Sequence, residues 1–185
     1  MLRHLPNLLS ALRLLAAPVA AWAIMADHDT LALAMFAFAG LSDLADGFIA
    51  RRWGFTSRFG AWLDPIADKL LMLLCFVALL RVGAVALWLV VLVIARDAVI
   101  AAGALLAKAL ALPMRIAPVM IGKASTAVQV GYVGIILLFL AFDQEAPRLV
   151  MAGGYTVALF TILSGAAYGQ LFLRALLFGR RIGRA

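Results

Sequence analysis

Apolar runs recur along this chain about every 30 residues, and each approaches the roughly 20 residues that a helix needs to cross the hydrocarbon core of a bilayer. Backbone in lipid must satisfy its own hydrogen bonds, which leaves helices or closed barrels as spanning structures. The alternating ten-residue segments of a membrane β-barrel are not found here. The hydrophobic share of 66% over 185 residues exceeds the roughly 45–50% of soluble domains. The expected fold is therefore an all-α integral membrane protein with six transmembrane helices, at about 8–26, 31–51, 59–80, 82–106, 123–142 and 149–178. Leu5-Pro6-Asn7 reads as a break, with a short N-terminal interfacial helix before or at the start of the first span. Arg3 and His4 ahead of apolar sequence have the look of a signal peptide. Arg13 interrupts that run, however, and Ile24-Met25-Ala26 is a poor cleavage site, so the segment is read as the first span. No repeat, low-complexity tract or long linker divides the chain, so a single domain over 1–185 is expected.

The net charge of +7 raises the question of nucleic acid. The cations punctuate the hydrophobic runs instead of forming a basic face, as topology signals do, and no nucleic-acid partner is expected. With six spans, one side of the membrane holds Arg3, Arg13, Arg51, Arg52, Arg58, Lys108, Arg115, Lys123, Arg174, Arg180, Arg181 and Arg184. The other holds Asp27, Asp29, Asp143 and Glu145, with Arg81 and Arg148 nearby. That asymmetry places both termini in the cytoplasm of a bacterial-type inner or plasma membrane. The single Cys75 lies in an apolar run and excludes an intrachain disulfide.

Against this background the acidic residues stand out. Four of the nine, Asp43, Asp46, Asp64 and Asp68, fall within 26 positions of strongly apolar sequence. Charge buried in such surroundings needs a cation or a partner. On a helix, Asp43, Asp46, Gly47 and Ala50 share one face at i, i+3, i+4 and i+7. Gly60, Asp64 and Asp68 share another at i, i+4 and i+8. The short basic loop between the two segments sets both faces at one depth, near the cytoplasmic boundary. Two facing acidic helices offer oxygen ligands to a hard divalent cation such as Mg²⁺ or Mn²⁺, and glycines let a bulky ligand approach the backbone. Blander roles compete residue by residue. Asp64 before Pro65 has the pattern of an N-cap with proline at the first helical position. Asp43 and Asp46 have Arg51, Arg52 or Lys69 within reach as ion-pair partners, and Gly47 and Gly60 suit helix packing. None of these explains two acidic faces at one depth.

The segment Asp43-Leu-Ala-Asp46-Gly47-Phe-Ile-Ala50-Arg51, eight residues, then Gly60-Ala-Trp-Leu-Asp64-Pro-Ile-Ala-Asp68, resembles the signature of the CDP-alcohol phosphatidyltransferase family at every fixed position. The stretch from Leu5 to Arg13, with Pro18 after it, is also similar to the start of many family members. The resemblance implies transfer of a phosphatidyl group from CDP-diacylglycerol to an acceptor hydroxyl, with CMP leaving. It implies two divalent ions held by Asp43, Asp46 and Asp64, with Asp68 sharing a metal and serving as general base. Gly47, Ala50 and Arg51 would line the cytidine diphosphate site, with Gly60 leaving room. It also implies a homodimer among membrane lipids.

Arg96-Asp97 in the fourth apolar run, with Arg115 and Lys123 around Pro118, suggests a basic pocket for an acceptor phosphate. A local ion pair at Arg96-Asp97 and topology signalling by the other two are the bland alternatives. Ala95-Arg96-Asp97 and the stretch from Ile121 to Gln129 resemble the phosphatidylglycerophosphate synthase and cardiolipin synthase branch, which implies glycerol 3-phosphate or phosphatidylglycerol as acceptor. Many phosphatidylglycerophosphate synthases carry Glu and a further Arg where this chain has Asp97 and Ala104, so the two acceptors stay open, with inositol phosphate and serine as alternatives. Two rival classes are a divalent-cation transporter and a structural membrane subunit. Transport calls for carboxylates spread through the bilayer depth, whereas these gather at one edge.

Overall fold

The computed structural model describes the backbone of 5–53, 58–110 and 120–182, and the side chains of 10–45, 65–110 and 120–175. Six α-helices follow one another: α1 Leu5–Met25, α2 Asp29–Trp53, α3 Arg58–Arg81, α4 Leu87–Ala109, α5 Met120–Ala141 and α6 Pro147–Ile182. No strand occurs among the described residues. Among the described residues, three helices have both the length and the hydropathy to cross a membrane: Leu87–Ala109, Met120–Ala141 and the first 29 residues of α6, Pro147–Ala175. The described residues are thus all-helical, with helices long and apolar enough to span a membrane. The described part of α1, Ser10–Met25, is apolar too.

The helix boundaries differ from expectation in two places, each for a local reason. Leu5-Pro6-Asn7 is the first turn of α1 and not a break. Proline is tolerated there because the first turn has no intrahelical use for its missing N–H. Residues 1–4, ahead of α1, lie outside the described residues. The third helix starts about where expected, at Arg58, and carries Pro65 in its interior, so the blander reading of Asp64 as an N-cap does not hold. Pro65 therefore withholds one backbone donor about one turn before Asp68. The fourth helix starts at Leu87, later than expected, because a turn occupies the residues after Arg81.

That turn belongs to a recurring device. Three helices end with one residue in the left-handed region and a backbone N–H reaching back five residues, which satisfies carbonyls the helix end would leave open. Asp27 (φ 55°), Gly83 (φ 77°) and Asp143 (φ 52°) hold this position. The closing bonds run from His28 N to Ala23 O at 2.9 Å, Ala84 N to Leu79 O at 2.9 Å and Gln144 N to Phe139 O at 2.8 Å. Asp27 and Asp143, two of the acids on the side opposite the cations, thus mark helix stops and tolerate the left-handed conformation there.

The helices form two compact units. The first comprises 1–86 with 133–147, and the second 87–132 with 148–185. In the first, α1 packs against both α2 and α3. Its buried stripe is largely alanine, with Ala16, Ala17, Ala20, Ala21 and Ala23. Small side chains let helix backbones approach closely where lipid supplies no hydrophobic drive. Ala32 and Ala39 of α2 and Ala67, Leu71, Cys75 and Phe76 of α3 are buried in the same unit. In the second unit, close approach is set by glycine. A Cβ at Gly153 of α6 would lie 2.8 Å from Tyr132 Cδ2 of α5, and one at Gly122 of α5 would lie 2.9 Å from the Tyr168 hydroxyl of α6.

Candidate active site

Ser10 and Arg13, both 0% exposed, precede the alanines on the buried stripe of α1. Arg13 is buried because its position follows the helical period of that stripe, which faces α2 and α3. Its Nη1 lies 2.9 Å from Asp43 Oδ1 of α2 and 2.9 Å from Asp68 Oδ1 of α3. One guanidinium nitrogen therefore joins the first and last acids of the motif, and their two oxygens lie within twice 2.9 Å of each other. Ser42, beside Asp43, is buried and donates its hydroxyl back to the Phe38 carbonyl at 2.7 Å. Ala67, beside Asp68, is 0% exposed. Asp43 and Asp68 thus sit at the edge of the packed face, and their side chains are 47% and 48% exposed. The pair meets the buried arginine on its inner side and is about half exposed.

A cation at these two carboxylate oxygens lowers the repulsion between them. The donor set is hard oxygen, and the two carboxylates already converge, so the residues fit a divalent ion such as Mg²⁺ or Mn²⁺. Among the described residues no three acidic, thiol or imidazole side chains gather into one group. Asp46, Gly47, Ala50 and Arg51 lie on helical backbone of α2, and Gly60 and Asp64 on that of α3. The side chains of these six fall outside the described residues, as does Arg115 altogether.

The second unit holds a separate polar seam. Arg96 of α4 is 9% exposed, and its Nη1 donates to Asp97 Oδ1 at 2.6 Å. Its Nε and Nη2 donate to Ser164 Oγ of α6 at 3.2 and 2.5 Å. The local ion pair at Arg96-Asp97 is therefore present. The Arg96 guanidinium carbon also lies 6.0 Å from the centre of the Tyr168 ring, near the limit for a cation–π contact. Gln129 Nε2 of α5 donates to Ser125 Oγ at 3.4 Å and to Thr161 Oγ1 at 3.3 Å. Ser125, Gln129, Thr161 and Ser164 are all buried, whereas Lys123 is exposed on α5.

Arg13 and Ser164 were not among the sequence candidates for these sites. Arg13 carried a signal, being a charge inside an otherwise apolar run, but topology alone accounted for it. Ser164 carried none, because serine in an apolar helix is unremarkable until its partner is known.

Known proteins resemble the chain along most of its length. It is 35% identical over 159 residues to the cardiolipin synthase (CMP-forming) of Homo sapiens, covering 77% of this chain and 50% of that protein. It is 32% identical over 184 residues to the chloroplastic CDP-diacylglycerol–glycerol-3-phosphate 3-phosphatidyltransferase 1 of Oryza sativa subsp. japonica, covering 90% and 56%. A probable phosphatidylglycerophosphate synthase of Mycobacterium tuberculosis is 30% identical over 178 residues, covering 92% and 82%. The chain spans about half the length of several of the curated relatives it matches. The family model for CDP-alcohol phosphatidyltransferase matches residues 3–165, across α1 to α5 and into α6, and the chain belongs to that family.

Proposed function

We propose that this protein is a divalent-metal-dependent phosphatidyltransferase of the membrane. It moves a phosphatidyl group from CDP-diacylglycerol to the hydroxyl of a glycerol-based acceptor, glycerol 3-phosphate or phosphatidylglycerol, and releases CMP. The observation that carries this reading is the convergence of Asp43 and Asp68 on one point from two different helices. Convergent, half-exposed carboxylates in a membrane protein are expensive unless they serve a cation or a reaction. Family membership and the names of the relatives supply the substrate class.

In this reading Asp43, Asp46 and Asp64 hold the metal, with Asp68 as a shared ligand. The bound metal neutralises charge on the diphosphate and orients it for in-line displacement. Asp68 takes the proton of the acceptor hydroxyl as its oxygen bonds to the phosphorus on the lipid side, and the bond from that phosphorus to the CMP oxygen breaks. Gly47, Ala50, Arg51 and Gly60 line the nucleotide site. Arg115 and the exposed Lys123 are candidate contacts for an acceptor phosphate. Arg96 is a third, though Asp97 and Ser164 already engage it. The reading includes six spans, cytoplasmic termini, one domain and a homodimer. The lengths of α2 (25 residues) and α3 (24 residues) support the span count.

The test is CMP release from labelled CDP-diacylglycerol by the purified protein with Mg²⁺ or Mn²⁺. Separate reactions contain glycerol 3-phosphate, phosphatidylglycerol, inositol phosphate and serine. Release with one of the two glycerol-based acceptors is expected. No release with any acceptor, from folded protein, refutes the reading; release with inositol phosphate or serine alone refutes the acceptor.

A further inference from the structure

We propose that Arg13 is a positioning residue and the built-in counter-cation of the carboxylate site. It draws Asp43 and Asp68 together before metal arrives, and it competes with metal for their oxygens. The inference rests on the reading above only in requiring that the site takes a divalent cation.

Three observations carry it. A single nitrogen, Nη1, contacts Oδ1 of both acids at 2.9 Å, so a divalent ion that takes those two oxygens as ligands competes with this nitrogen for them. The contact is also asymmetric in burial. The Arg13 side chain is 0% exposed against 47% and 48% for the acids, so the guanidinium reaches the pair from the packed interior, and an ion arriving from the exposed side that takes Oδ1 must share it with Arg13. Finally, topology does not require the burial. A positive-inside signal works from the membrane surface, where the head group stays hydrated. Here the charge ends the buried alanine stripe of α1, a costly placement unless its ion pairs matter.

Competition and structural support give different results. If Arg13 only braces α1 against α2 and α3, its loss weakens the protein equally with and without metal. If Arg13 shares oxygens with the metal, its loss removes the cation between Asp43 and Asp68, and an added cation then relieves that loss. The experiment uses purified full chain in detergent, with Mn²⁺ as the probe. Thermal unfolding is followed in EDTA and in Mn²⁺, and Mn²⁺ affinity is read by electron paramagnetic resonance without substrate. Arg13→Gln should lower the EDTA midpoint by roughly 10 °C, as expected for breaking a buried charge pair in a chain of this size. Mn²⁺ should recover at least half of that loss. Its Mn²⁺ dissociation constant should fall at least about threefold, as for loss of a modest ion pair. Arg13→Lys, which keeps the charge but not the planar fork, should fall between wild type and Arg13→Gln in both measurements.

Equal destabilisation with and without Mn²⁺, or unchanged or weaker Mn²⁺ binding in Arg13→Gln, overturns the proposal and leaves phosphatidyl transfer standing. If Arg13→Gln yields no folded protein, Arg13→Lys decides, and Mn²⁺ affinity equal to wild type overturns it. Wild type that binds no Mn²⁺ removes the metal reading, and this proposal with it.

Discussion

Replacing Ser164 with alanine removes the hydroxyl that accepts from both Nε and Nη2 of Arg96, at 3.2 and 2.5 Å. Ser164 is 0% and Arg96 9% exposed, so water does not readily replace the lost acceptor. The magnitude turns on whether the bond behaves as charge-assisted. Hydrogen bonds to charged groups contribute about 1.5–3 kcal/mol, whereas neutral interhelical bonds in membranes average about 0.6 kcal/mol. The Asp97 carboxylate remains on Nη1, so the guanidinium keeps one partner and the cost should lie near the low end, about 1.5–2 kcal/mol. For a chain of this size that is a fall of about 3–8 °C in unfolding midpoint. Thermal unfolding in detergent of Ser164→Ala, Arg96→Met and the double variant gives the coupling directly. A loss under about 0.6 kcal/mol in Ser164→Ala, or strict additivity in the double variant, would refute the claim that Ser164 is a charge-assisted partner of Arg96.

Four further outcomes are expected. Gly83→Ala forces a side chain into the left-handed position that ends α3 and should cost about 1–2 kcal/mol by thermal unfolding. Gly153→Ala brings a methyl within 2.8 Å of the buried Tyr132 ring and should cost about 1–3 kcal/mol. Gly131→Ala, where no described atom lies within 4 Å of the added Cβ, should be neutral or slightly stabilising, and similar values for the two would refute the packing argument. Asp68→Asn should reduce CMP release about 10²–10⁴-fold while the protein still elutes as a folded species, because an amide cannot take the acceptor proton. Near-normal turnover would remove Asp68 as the base.

Much of the fold was legible because helices announce themselves locally. Hydrophobic run length gave six helices, and the i, i+3 and i, i+4 spacing of the acids is realised on backbone that is helical through Asp43, Asp46, Asp64 and Asp68. Helix ends were less legible. Leu5-Pro6-Asn7 and Asp64-Pro65 carry patterns that suit either a start or a continuation, and local sequence does not decide between them. Asp43 illustrates the limit for the site. Its ion-pair alternatives in the sequence were Arg51, Arg52 and Lys69, while the cation observed on it is Arg13, thirty positions away on another helix.

The sequence by itself determined the all-helical membrane character, the two acidic faces and the family, because periodicity, hydropathy and fixed residue spacing are properties of short segments. Only tertiary structure decided which side chains meet. It placed Arg13 between Asp43 and Asp68, and it gave Arg96 a hydroxyl partner 68 residues away in Ser164. Such pairings depend on how the alanine and glycine faces of separate helices close on one another, and that packing has no local signature along the chain.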